Sequence, residues 1–241
     1  MIRKVCCFVS IAILLPLLTA HTTAETPSVD ALKLHERYTL SLELDFRKKN
    51  QNTLERAIAL LDSSPNGHAT GFLVGDGLLM TAYHVVSGEL SNSKKALLGF
   101  KPKDELRVKV YVNGCEATVV SVDRDADLAL LNVCRTPKHA RTPAFQTQPS
   151  RDERVFLIAR PDGDKMVSRG SFYGSYNFRG HQYWSARLTG RDGYSGSPVY
   201  NEQAELVGVF SGYDRSRKLA VISPSLRAQK LLEDYLRESQ P

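Results

Sequence analysis

ATGFLVGDGLLMTAYHVV, Ala69 to Val86, sets two short apolar runs around a cluster of turn residues. Thr70 to Val74 and Leu78 to Ala82 read as strands, and Gly75-Asp76-Gly77 between them is a tight hairpin signal. His84 follows at the end of the second run, where its side chain can face a cleft. On its own such a histidine is more often surface or satisfied core.

The same texture runs outward in both directions. Arg107 to Val112 and Glu116 to Val122 flank Asn113-Gly114, a second hairpin signal. Further β-prone runs are Leu128 to Val133, Val155 to Ala159, Met166 to Tyr173, Tyr183 to Leu188, Val199 to Tyr200, Leu206 to Ser211 and Leu219 to Ile222. Ala57 to Leu61 is a further strand candidate that also suits a helix. Many short strands with little helix between them predict an all-β antiparallel sandwich or barrel. Pro224 to Arg237 departs from this, placing Leu226, Leu231, Leu232, Tyr235 and Leu236 near helical spacing. Ser223 or Ser225 is the expected N-cap of that closing helix. Upstream, Tyr38, Leu40, Leu42, Leu44 and Phe46 alternate as in a strand, while Leu32–Arg37 and Arg47–Lys49 look more helical. The segment 25–54 is read as an N-terminal extension, open as to structure, and as a candidate pro-segment.

The first residues have another character. Arg3 and Lys4 precede an apolar run from Phe8 to Leu18, and small residues end at Ala24. This is the layout of a cleaved signal peptide over 1–24. A membrane anchor is the alternative, but spanning needs ~20 apolar residues, so no stable membrane insertion is expected after cleavage. Cys6 and Cys7 precede the run and are badly placed for lipid attachment. Periplasmic or secreted localisation follows. Cleavage lowers Lys plus Arg from 32 to 30 against 26 acids, taking the net charge from +6 to about +4. Charge this slight and dispersed is no nucleic-acid footprint. Aromatics interleave with Arg179 between Phe172 and Trp184, but a hairpin with cross-strand aromatic pairs explains them. Cys115 and Cys134 remain after cleavage, and in an exported chain the pair suggests a disulfide. Two buried thiols are the alternative.

Two more stretches carry chemistry. In DRDADLALL, Asp123 to Leu131, Asp127 abuts the apolar run and is the carboxylate most readily drawn inside, where it needs a partner. In GRDGYSGSPVY, Gly190 to Tyr200, Ser195 sits among glycines. A serine hydroxyl is a poor nucleophile without a base, and the base needs an acceptor that fixes its tautomer. Gly193 has no Cβ and can turn its N–H inward. Its N–H and that of Ser195 could form an oxyanion hole. A glycine-rich surface loop is the plain alternative for this stretch.

Taken together, TAYHVV, DADLALL and GYSGSP resemble the trypsin-like, chymotrypsin-fold serine endopeptidases of bacterial type, in that family's order of His, Asp and Ser. The resemblance covers roughly Glu55 to Arg237. It implies a protease domain over 55–241, made of two packed antiparallel six-stranded β-barrels with a C-terminal α-helix and the triad in the cleft between them. His84 is then general base and acid, Asp127 its orienting carboxylate and Ser195 the nucleophile of an acyl-enzyme. A protein or peptide substrate is implied, with no metal or organic cofactor. No PDZ-like module follows the helix, so a monomer is expected.

Some positions depart from the family. Tyr194 stands where animal digestive members carry an aspartate that pairs with a new N-terminus. Thr189 stands at the pocket floor and argues against Lys or Arg selection. The wall is Ser211-Gly212-Tyr213, and Tyr213 replaces the histidine of glutamyl members. An acidic substrate side chain then needs Arg191 or another cation to reach in. Two other readings stay open. A barrel without activity could act as a binding or regulatory protein, as a pocket filled by Tyr194 or Tyr213 would suggest. A small esterase fits less well, because the glycine lies one residue after the serine rather than two.

Overall fold

The structure is a computed structural model that describes residues 29–51, 65–178 and 180–239. The signal-peptide reading, the run Ala57–Leu61 and Arg179 lie outside the described residues.

Two closed antiparallel barrels of six strands each form among the described residues. An opening helix, α1 (Val29–Tyr38), leads directly into β1 (Thr39–Lys48). The first barrel continues with β2 (Gly67–Gly75), β3 (Leu78–Thr81), β4 (Leu106–Val112), β5 (Cys115–Asp123) and β6 (Leu128–Asn132), closing in the order β1-β2-β3-β6-β5-β4. Two short helices, α2 (Tyr83–Val86) and α3 (Asn92–Leu97), lie between β3 and β4. The second barrel holds β7 (Arg154–Ala159), β8 (Met166–Phe178), β9 (His181–Ala186), β10 (Pro198–Asn201), β11 (Leu206–Asp214) and β12 (Leu219–Pro224). It closes as β10-β11-β12-β9-β8-β7, and α4 (Ser225–Glu238) follows.

The fold corrects the expected boundary at residue 55. β1 pairs with β2 on one side and β4 on the other, with Leu42 opposite Ala69 and Leu44 opposite Val110. The alternating apolar residues of the supposed extension are therefore barrel wall. Leu42, Leu44 and Phe46 are buried there. The helical reading of 32–37 agrees with α1, whereas Arg47 and Lys48 finish the strand.

The nearly unbroken apolar runs have a physical cause. Successive strand side chains point to opposite faces, and here both faces are covered. In β2 and β3, Leu73 and Leu79 enter the first barrel core, while Phe72 and Met80 enter a second core between the barrels. Leu128 and Leu130 join that second core, together with Ile158, Val209 and, from α4, Ala228, Leu231 and Leu232. Burying one such side chain contributes about 1.5–3 kcal/mol, so the central strands clamp both barrels and the last helix.

The cap of α4 differs from expectation. Pro224 is its N-cap and gives no side-chain bond. The hydroxyls of Ser223 and Ser225 donate elsewhere, to the carbonyls of Ala126 and Gln146. Cys115 and Cys134 are joined in a disulfide with Cα atoms 6.1 Å apart, tying the start of β5 to the segment just after β6. The Phe172–Trp184 region is the expected β8–β9 hairpin, with Tyr176 opposite Tyr183 and Phe172 edge-on to Trp184.

Candidate active site

α2 begins without help from its own N-cap, Ala82. The first amides of a helix lack intrahelical partners. Asp127, on the turn before β6, supplies them: its carbonyl accepts from Tyr83 N at 3.1 Å and its Oδ1 from His84 N at 2.8 Å. Its other oxygen, Oδ2, lies 2.8 Å from His84 Nδ1. One carboxylate thus fixes both the backbone and the ring of His84. Asp127 itself has φ 54°, a left-handed conformation that Asp tolerates better than most residues.

The turn carrying Asp127 is held from outside. Asp123 Oδ1 accepts from Ala126 N at 3.1 Å, and Arg227 on α4 grips the Asp123 carboxylate with Nε at 2.9 Å and Nη2 at 2.7 Å. Ser223 Oγ donates to the Ala126 carbonyl and lies 2.7 Å from Ser211 Oγ. Sequence reading missed this support. Its signal was faint: Ser223 is a buried polar residue at the end of an apolar strand.

Ser195 comes from the other barrel, on the loop between β9 and β10. Its Oγ is 2.8 Å from His84 Nε2. The three expected residues therefore meet in one line. The serine loop is shaped by two glycines. Gly193 has φ 84°, and a Cβ there would lie 2.5 Å from Pro161 Cβ. Gly196 also has φ 84°, and a Cβ there would lie 2.1 Å from Thr81 Oγ1. Neither position admits a side chain.

Thr70, in β2, ties this loop to the first barrel. Its N–H donates to the Ser195 carbonyl at 2.9 Å, its hydroxyl donates to the Gly193 carbonyl at 2.9 Å, and its carbonyl accepts from Thr81 Oγ1 at 2.8 Å. Thr70 is fully buried in an otherwise apolar run, which is the sign that could have exposed its role.

A cleft of about 930 Å³ runs along His84 and Asp127 and is bordered by Ser211, Gly212 and Tyr213 from β11. Tyr183 lines it too. Burial, and then the nearby negative charge of Asp127, push its phenol up to about 12, so the hydroxyl stays protonated and donates to the Asp125 carbonyl at 3.1 Å. Of the four expected pocket residues, Thr189 is placed apart. It is exposed in a neighbouring depression, its hydroxyl 2.8 Å from Ser168 Oγ. Tyr213 borders both spaces and leans on Gly190, where a Cβ would meet Tyr213 Cβ at 2.9 Å. Tyr194 fills neither. It is buried in the second barrel core, edge-on to Phe210. Arg191 is exposed and borders neither space. No group of three or more metal-ligating side chains occurs among the described residues.

Comparison with known proteins adds to this geometry. The family model of the trypsin-like peptidase domain matches residues 69–209. The fold is similar to the active form of the Rv3671c protease from M. tuberculosis, with TM-score 0.60 and 18% identity over 95% of this chain and 93% of that one. It is also similar to a serine endoprotease from Yersinia pestis, with TM-score 0.58 and 17% identity over 87% of this chain and 66% of that one. At such identities the likeness concerns the fold. No curated protein matches the sequence.

Proposed function

The chain belongs to the trypsin-like peptidase domain family and is a serine endopeptidase; from that premise we propose that it is an exported enzyme cutting peptide bonds through an acyl-enzyme on Ser195. The observation that carries the reading is the pair of 2.8 Å contacts on one imidazole, His84 Nδ1 to Asp127 and His84 Nε2 to Ser195. In this mechanism Ser195 Oγ attacks the substrate carbonyl carbon and its proton passes to His84 Nε2. The carbonyl oxygen takes the negative charge and accepts from the N–H groups of Gly193 and Ser195. His84 returns the proton to the leaving amine as the C–N bond breaks. Water then attacks the acyl carbon, giving a proton to His84, and Ser195 leaves with it. Asp127 keeps the Nδ1 proton in place and stabilises the imidazolium.

Export is supported by the Cys115–Cys134 disulfide, a bond that persists in oxidising compartments. Among the described residues no helix is long and apolar enough to cross a membrane. The substrate class is protein or peptide, and the working unit is taken as the monomer. A second reading, a barrel retained for binding, is favoured by one observation: Tyr213 stands between the cleft and the neighbouring depression, packed close against Gly190. A fluorophosphonate probe separates the two. Wild-type protein should label, and Ser195→Ala and His84→Ala should not. Folded wild-type protein that stays unlabelled would favour the binding role.

A further inference from the structure

The depression on the far side of Tyr213 has an uneven charge. It measures about 780 Å³, and its described lining includes Arg169, Arg187, Arg217 and Lys218 but no carboxylate. The nearest acids are turned to other work. Asp214 is drawn down to about 2, first by the Ser216 hydroxyl, then by the Arg217 amide and the Tyr176 hydroxyl. Its contact with Arg217 Nε is long, at 3.8 Å. Asp152 takes Arg187 at 3.1 Å on the outer side. Among the described residues no carboxylate pairs with Arg169 or Lys218. The Thr189 hydroxyl in the depression's lining is neutral and bonded to that of Ser168. Arg169 and Lys218, set beside two arginines that are already paired, leave an excess of positive charge that an incoming anion relieves.

This depression meets the triad cleft at two shared residues, Tyr176 and Tyr213. We propose that it receives an acidic side chain of the peptide substrate, the one on the acyl side of the bond to be cut, with Tyr213 as the wall the side chain passes. The inference deepens the endopeptidase reading and rests on it. The cations come from three separate stretches, at Arg169 on β8, Arg187 after β9, and Arg217 and Lys218 before β12. None is Arg191, the cation that the sequence offered beside Ser195. All four are exposed, so the attraction is screened by salt and sorts substrates rather than gripping them.

The test separates recognition from chemistry. Two peptides that differ only in a C-terminal Glu or Gln are titrated into the Ser195→Ala protein and followed by fluorescence anisotropy. The Glu peptide should bind about tenfold more tightly at low salt, a preference of the size weakly screened charges supply. That advantage should shrink with added salt and in the double variant Arg169→Gln/Lys218→Gln, whose unfolding midpoint is checked alongside. Equal binding of the two peptides, or a preference untouched by the double variant, overturns the proposal. Fluorophosphonate labelling of the wild-type protein is read in parallel. Labelling with equal peptide binding keeps the enzyme and removes the acidic preference. A Glu preference without labelling keeps the recognition and removes the chemistry.

Discussion

Thr70 on the first barrel donates its hydroxyl to the carbonyl of Gly193 on the second, at 2.9 Å. The same oxygen accepts from Arg160 N at 3.0 Å. The orientation of the serine loop is thus set by a residue that touches no substrate. Thr70→Val keeps the shape and removes the hydroxyl, leaving a part-buried carbonyl and amide without this partner at a cost of up to about 1–3 kcal/mol each. Fluorophosphonate labelling should slow by roughly 10- to 100-fold, while Thr70→Ser restores most of it. If Thr70→Val lowers the unfolding midpoint but labels at the wild-type rate, Thr70 is structural only.

Asp127→Asn tests the second contact of His84. An asparagine oxygen can still accept from His84 N, so α2 should keep its start and the protein its fold. The ring, however, can then take the wrong tautomer, which costs about 10⁴ in turnover in this type of triad. Single-turnover acylation of an active ester reads it directly. A loss below tenfold would remove Asp127 from the proton path.

The barrel position of β1 makes a prediction about truncation. Deletion of residues 1–28 should leave a cooperative unfolding transition. Deletion through residue 54 removes a wall strand and exposes Ala69, Phe72 and the facing strand β4, so the product should be insoluble or lack near-ultraviolet dichroism. A soluble, folded and more active product would instead restore the pro-segment reading.

His35 on α1 stacks on Tyr200 with ring centroids 4.2 Å apart. Burial holds its imidazole below the usual pKa, against a smaller opposing effect of the Ala204 carbonyl. The unfolded chain therefore takes up this proton first as pH falls. The stability is fully present above the unfolded value of about 6.5 and is lost as pH drops towards the folded value. Between pH 7 and pH 5 the wild-type protein should lose more of its melting temperature than His35→Phe. Parallel losses in the two proteins would show that His35 plays no part.

The legible parts were those written in local signals. Gly75-Asp76-Gly77 and Asn113-Gly114 mark real turns, and the expected strand cores fall inside β2 to β12. His84 could be named because it ends an apolar run, Asp127 because it precedes one, and Ser195 because it sits among glycines. The barrel start was hidden because Leu40, Leu42, Leu44 and Phe46 show only period two, without a nearby turn to pair them. Their partner β4 lies some sixty residues on, and no local pattern states that pairing. Thr189 lines the depression beyond Tyr213 and not the triad cleft, a division that its offset from Ser195 does not state. The cationic depression escaped because its charges are scattered over about fifty residues of sequence and converge only through the β8–β9 and β11–β12 hairpins.

The order of the elements along the chain also sets a clock. The base and its carboxylate are made early, the nucleophile late, and the helix whose Arg227 braces the Asp123 turn last. A chain growing from its N-terminus therefore has no nucleophile beside its base until the β9–β10 loop is made, and no brace on the Asp123 turn until α4 is made.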